Sequence, residues 1–124
     1  MQDRSAALAV GLAVVVALHL LSGCLGAGGR DPIEPIDSPN QDRTLVIGIN
    51  RSQDDPTNYL TLVFEIRDKA TQAVLHRQQT NASSRLAWSM RWLDNATVQL
   101  SSSDIGTNCW QEQPGGVWIE APCP

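Results

Sequence analysis

The chain has 124 residues, of which nine are Lys or Arg and 13 are Asp or Glu, so its formal net charge is −4 at pH 7. An acidic chain without a basic block is a poor binder of nucleic acid, because such binding depends on neutralising phosphates. The length allows one small domain once an N-terminal targeting segment has been removed, and it leaves too few residues for a second domain.

The first feature along the chain is an apolar segment at residues 6–21, made of Ala, Val, Leu and Gly and interrupted only by His19. The segment is shorter than the roughly 20 apolar residues that a membrane-spanning helix needs. Its length is typical of the apolar region of a signal peptide. An uncleaved N-terminal membrane helix is the alternative interpretation of the same residues.

The four residues that end this segment are Leu21-Ser22-Gly23-Cys24. They resemble the lipobox of bacterial lipoproteins, in which a cysteine follows Leu, a small residue and Gly. The resemblance implies that a signal peptide of residues 1–23 is removed and that Cys24 becomes an acylated N-terminus. Two or more acyl chains attach a protein stably to a membrane. Because Leu25 and not Asp follows the cysteine, the resemblance also implies an outer-membrane location facing the periplasm.

Residues 24–42 are predicted to form the lipidated N-terminus and a tether. Glycines are frequent in the first part and prolines in the second, and no apolar period runs through the segment. This composition predicts a flexible start followed by an extended stretch. Such a segment buries too little apolar surface to offset the entropy lost in ordering it.

A period of two begins near Thr44 and predicts a β-domain over residues 43–124. The clearest alternation is that of Leu62, Phe64 and Ile66, with Glu65 on the opposite face. The predicted fold class is all-β, a small antiparallel β-sandwich or barrel of six to seven strands. The predicted strands lie at residues 44–49, 60–67, 73–79, 86–92, 98–100, 109–112 and 116–121.

The turn near Asp94 is constrained by register, because opposed residues of an antiparallel pair lie on the same face. A loop of three residues, 94–96, sets Val98 opposite Trp92 and Leu100 opposite Met90. A loop of two residues would instead set Val98 opposite a charged side chain. The three-residue loop is therefore predicted, with a bulge within the turn.

The cysteine count is three, which is odd for an exported protein. If Cys24 carries lipid, Cys109 and Cys123 remain as a pair, and outside the cytoplasm such a pair is expected to oxidise. A disulfide that closes a loop of about 15 residues contributes roughly 3 kcal/mol to stability. Two free thiols or a metal site are the alternatives. No metal site is predicted, because His76 is the only histidine after Cys24 and nothing nearby completes a ligand set.

Four tryptophans are many for so small a domain. Trp88 and Trp92 share an apolar face with Met90, and core packing is the prediction for both. Trp110 and Trp118 flank a turn that contains two glycines, and the alternation around Trp118 allows it to face outward. Trp110 and Trp118 are therefore the candidate ligand-binding residues, since indole rings stack well on sugars and other ligands.

No motif for nucleophilic, metal-dependent or phosphate chemistry occurs in the chain. The sequence therefore predicts a non-enzymatic protein with no catalytic residues and no cofactor. The first hypothesis is a membrane-anchored envelope lipoprotein whose β-domain binds another envelope protein in an assembly, accessory or inhibitory role. The alternative is a module that binds a cell-wall glycan or another small ligand through exposed tryptophans.

Overall fold

The structure is a computed structural model that describes residues 33–124, and within this range it contains eight strands and no helix. The predicted signal peptide, Cys24 and residues 24–32 of the predicted tether lie outside the described residues. The all-β prediction is confirmed. The strands are β1 (Ile36–Asp37), β2 (Arg43–Ile49), β3 (Thr61–Asp68), β4 (Val74–Ser83), β5 (Trp88–Asp94), β6 (Thr97–Ser102), β7 (Gly106–Glu112) and β8 (Trp118–Ala121).

The strands form two four-stranded sheets, in the orders β1-β2-β3-β4 and β5-β6-β7-β8, and every pair is antiparallel. Within each sheet, consecutive strands are therefore neighbours, and the chain passes from one sheet to the other between β4 and β5. The inner faces meet in one core, where the ring centroids of Phe64 on β3 and Trp110 on β7 lie 5.0 Å apart. The fold is thus a β-sandwich with edge strands β1, β4, β5 and β8.

The eighth strand, β1, lies inside the segment predicted as tether. Ile36 and Asp37 pair with Leu45 and Thr44 of β2, and Ile33 and Ile36 pack against the core. The domain therefore extends back at least to Ile33, and the predicted boundary at residue 43 is too late. A two-residue strand has no readable period, and prolines beside it are tolerated because it is an edge strand.

The register predicted for β5 and β6 is confirmed, with Met90 opposite Leu100 and Trp92 opposite Val98. The predicted bulge, however, lies in strand β5 and not within the turn. Asp94 pairs with Thr97 across the turn, and the extra residue is Leu93, between Trp92 and Asp94. Asp94 Oδ1 accepts a hydrogen bond from the backbone N–H of Ala96 at 2.8 Å, which closes the turn without the extra loop residue.

The predicted disulfide between Cys109 and Cys123 is confirmed, with the two Cα atoms 5.2 Å apart. It joins β7 to the segment that follows β8. Strand residues alternate between the two faces of a sheet, and Trp110 faces inward, so its neighbour Cys109 points away from the core. Cys109 is nevertheless only 1% exposed. The C-terminal segment therefore covers part of the outer face of the second sheet.

Candidate functional site

Trp110 and Trp118 are both buried in the core and only 4% exposed. The hypothesis that these two tryptophans are exposed to solvent is therefore wrong. Val117 and Ile119 carry the exposed positions of the alternation instead, at 61% and 46%. Trp92 is half-buried and meets Trp118 edge-on, with ring centroids 6.2 Å apart. Neither Trp110 nor Trp118 presents a ring face on which a ligand from solvent can stack.

Trp118 is held at one end of the sandwich by charge as well as packing. Arg43 of β2 forms an ion pair with Glu112 of β7, with Nη2 and Oε2 2.8 Å apart, and so links the two sheets. The Arg43 guanidinium lies 5.6 Å from the centroid of the Trp118 ring, within the range of a cation–π interaction. The His76 ring stacks near the same indole at 6.5 Å. This surrounding gives Trp118 a structural role.

The polar atoms of this region are incompletely paired. The Nε1–H groups of Trp110 and Trp118 and the Oδ1 atom of Asn108 are buried without a hydrogen-bond partner in the described part of the chain. Each such group costs about 1–3 kcal/mol, so native proteins retain few of them. Asn108 and Trp110 lie two residues apart on β7 and share a face.

A small cleft joins two of these atoms. It opens between edge strand β4 on one sheet and strands β7 and β8 on the other, and its volume is about 90 Å³. We refer to it as the seam cleft. Its lining residues are Gln78, Gln79, Thr80, Asn81, Ile105, Asn108, Trp110 and Glu120.

The hydrogen bonds around the seam cleft determine which groups remain free. Asn108 Nδ2 donates to Glu120 Oε1 at 3.0 Å, which leaves Asn108 Oδ1 as an unused acceptor. Gln79 Nε2 is already committed to Thr61 Oγ1 and to the Thr80 carbonyl oxygen, each at 2.7 Å. The buried groups of the cleft that stay unpaired within residues 33–124 are therefore one donor, Trp110 Nε1, and one acceptor, Asn108 Oδ1, and the exposed side chains of Glu120 and Asn81 line the same cleft.

A larger cleft, of about 680 Å³, lies at the other end of β4, where the β1–β2 and β3–β4 turns meet. We refer to it as the turn cleft. Lys69 fixes its shape: its backbone N–H donates to the Asp42 carbonyl oxygen at 2.9 Å, and its Nζ donates to Asp37 Oδ2 at 2.8 Å. The lining residues are Gln41, Asp42, Arg43, Asp68, Lys69, Ala70 and Leu75.

The charges of the turn cleft are held by local hydrogen bonds. The backbone N–H of Thr71 donates to Asp68 Oδ1 at 2.9 Å, and the hydroxyl of Thr71 donates to the same atom. These bonds hold the pKa of Asp68 below its ordinary value. Leu75 is 42% exposed at the edge of the cleft, and its neighbour Val74 is 51% exposed. The turn cleft therefore combines polar side chains held by local hydrogen bonds with exposed apolar side chains at its edge.

Comparison of the chain with protein-family models, with curated proteins and with solved structures found no match. Within residues 33–124, no group of three or more His, Cys, Asp and Glu side chains is placed to hold a metal ion. In the same range no helix is long and apolar enough to cross a membrane.

Sequence reasoning identified Trp110 but missed the residues that give it a polar context. Asn108 precedes it by two positions on the same strand, and the period-two rule alone assigns both to one face. The sequence pattern predicts that Leu75 lies in a strand, but it indicates no function for this residue. Its exposure follows from a bulge, because Val74 pairs with Arg67 and His76 pairs with Ile66, which leaves Leu75 outside the ladder.

Proposed function

We propose that this chain is a membrane-anchored envelope lipoprotein whose β-domain binds another envelope protein along the free edge of β4. The observation that carries the proposal is the pair of exposed apolar side chains, Val74 and Leu75, beside the turn cleft. Exposed apolar side chains next to a concave surface are typical of protein contact sites.

The free edge of β4 supplies the second part of the interface. β4 is ten residues long and pairs only with β3 in the described part of the chain. Unpaired N–H and C=O groups along such an edge can bond an extended segment of a partner. Bulges interrupt the ladder on both sides of His76–Gln79. The regular part of the edge therefore offers about 13 Å of backbone, four residues at ~3.3 Å each.

The chemistry of the turn cleft defines the partner segment. The lining includes two acidic residues, Asp42 and Asp68, and two basic residues, Arg43 and Lys69, so its formal charges balance. The best occupant is an extended segment with an apolar side chain that packs on Leu75. Apolar contact then supplies affinity, and the fixed charges select polar groups on either side of it.

A photo-crosslinking amino acid at position 75 of the full chain tests the docking surface in cells. Position 86 is the matched control, because Leu86 is a similarly exposed apolar residue, at 49% against 42%. The proposal predicts one envelope protein cross-linked from position 75 and not from position 86. It also predicts that Val74→Asp abolishes this product. Cross-links only to a second copy of the chain, or equal products from both positions, contradict the proposed surface.

The lipid anchor is tested separately. The proposal predicts that the chain incorporates a labelled fatty acid and stays in the membrane fraction after a high-salt wash. Cys24→Ala should abolish both properties and release a folded domain. A Cys24→Ala chain that remains fully membrane-bound is the result that excludes lipidation at this residue as the anchor.

A further inference from the structure

The seam cleft has the hydrogen-bonding pattern of a specific chemical group. Within residues 33–124, Trp110 Nε1 is a donor without a partner and Asn108 Oδ1 is an acceptor without a partner, and the exposed Glu120 carboxylate is a second acceptor. One donor and two acceptors are the complement of a primary carboxamide, which has a carbonyl oxygen and two N–H bonds. A carboxamide can therefore satisfy in one step the two unpaired buried atoms that line this cleft, Trp110 Nε1 and Asn108 Oδ1.

Charge and size agree with an uncharged group. Among the described residues, no Lys, Arg or His lines the seam cleft, and Glu120 is the one acidic residue there. A carboxylate or phosphate would therefore be placed beside a negative charge without a cation to pair it. The volume of about 90 Å³ limits the occupant to a small group.

The walls of the cleft permit entry. One wall is edge strand β4, and the others belong to β7, β8 and the β6–β7 turn, which are part of the second sheet. The walls are therefore held together by side chains and not by a shared ladder. Ile105 and Glu120 on the second sheet's side are both exposed, so a small outward movement of side chains opens the path to Trp110.

We propose that the seam cleft is a recognition pocket for the carboxamide side chain, Asn or Gln, of the partner segment that docks on β4. Trp110 Nε1 donates to its carbonyl oxygen, and its N–H groups donate to Asn108 Oδ1 and to Glu120. This inference rests on the proposed docking function, because β4 contributes both the free edge and one wall of the pocket. Backbone pairing then supplies affinity, and the pocket selects the side chain.

Acetamide is the probe, since it reproduces the carboxamide without the rest of a partner. The full chain labelled with ¹⁵N has four tryptophan indole N–H signals. Titration with acetamide should move one of them saturably, and that signal should be the one missing in Trp110→Phe. Acetate has nearly the same shape but lacks the N–H donors and is charged, so it should leave all four signals in place.

Trp118→Phe is the matched control variant, because Trp118 is buried to the same 4% and also has an unpaired Nε1 but does not line the cleft. It should leave acetamide binding unchanged. Asn108→Leu should weaken acetamide binding about tenfold, the loss expected for one hydrogen bond. The absence of any acetamide shift, or an equal shift with acetate, overturns the pocket.

The two proposals fail in different ways. A partner cross-linked from position 75 without an acetamide shift overturns the carboxamide pocket alone. A saturable shift at Trp110 without a partner cross-link overturns the docking surface, and with it the partner segment as the source of the carboxamide.

Discussion

The indole Nε1–H of Trp92 donates to the carbonyl oxygen of Ile36 at 2.8 Å. Trp92 lies on β5 and Ile36 on β1, so the bond joins the edge strands of the two sheets. A second bond nearby links the turns that follow these two strands, from the backbone N–H of Asn40 to Asn95 Oδ1 at 2.8 Å. Two hydrogen bonds thus close one side of the sandwich, whereas the other side contains the seam cleft.

Replacing Trp92 by Phe tests this closure. The variant keeps an aromatic ring but leaves the Ile36 carbonyl oxygen without its donor, so we expect a loss of about 1–2 kcal/mol in the free energy of unfolding. Urea denaturation followed by circular dichroism measures it. Trp88→Phe is the control, because Trp88 is also half-buried on β5 and its indole makes no hydrogen bond within the described residues. Equal losses in the two variants would show that the bond to Ile36 adds nothing.

The disulfide is expected to be a main source of stability. Its cysteines are 14 positions apart, and the chain-entropy model gives about 3 kcal/mol for a loop of this size. The double variant Cys109→Ala, Cys123→Ala should therefore unfold at a clearly lower urea concentration. The measurement is the free energy of unfolding against that of the oxidised chain. A difference below about 1 kcal/mol would indicate that the unfolded chain is already restricted at this end.

Acid should weaken the fold through Glu65. Its carboxylate accepts hydrogen bonds from Arg67 Nε at 3.1 Å and from Arg67 Nη2 at 2.6 Å, and Arg77 lies 3.4 Å away. The hydrogen bonds from Arg67 hold the pKa of Glu65 below its ordinary value of 4.5. The contribution to stability is therefore fully present above pH 4.5 and is lost as the pH falls through the lowered pKa.

Glu65→Gln isolates this effect. The amide cannot ionise, so the variant should be less stable than the parent chain near neutral pH and should lose less stability between about pH 5 and pH 3. Denaturation midpoints measured at both pH values give the comparison. The carboxyl groups of Asp37, Asp68 and Asp104 also have lowered pKa values and keep part of the acid sensitivity in the variant. Identical pH profiles for the variant and the parent would contradict the role of Glu65.

Gln72 occupies a backbone conformation that suits glycine. Its φ is 64°, in the left-handed region, where a side chain costs roughly 1–2 kcal/mol. Gln72→Gly removes that cost but adds freedom to the unfolded chain, so we expect a net gain of roughly 0.5–1 kcal/mol. Ala73→Gly is the adjacent control, because Ala73 does not have a positive φ and should only lose stability. A loss in both variants would refute the argument.

How far the sequence predicted the fold depended on the length of each pattern. The long alternation at Leu62, Phe64 and Ile66 identified β3, and the pairing of Trp92 with Val98 followed because one register alone kept apolar side chains together. β1 has two residues and no period, so the structure reveals it through contacts with Leu45 and Trp92 that are distant in sequence. Tertiary contacts of this kind are not encoded in a local pattern.

The candidate site was predicted only in part. The sequence identified Trp110 as a candidate ligand-binding residue but did not predict that its side chain is buried. A short strand with a cysteine on one face and a tryptophan on the other does not indicate which face lies in the core. Cys109 and Trp110 are adjacent and both buried. The seam cleft depends on how two edge strands from different sheets approach one another, and the partner of Asn108, Glu120, is 12 positions away.

The position of β1 gives the domain a defined mechanical entry point. The described chain enters the sandwich at this edge, where β1 pairs over two residues with Leu45 and Thr44 and receives the hydrogen bond from Trp92. Tension applied to the chain on the N-terminal side of Ile33 would therefore act first on these few contacts. Under such tension β1 should separate from β2 first, and β4, at the opposite edge of the same sheet, should keep its pairing with β3.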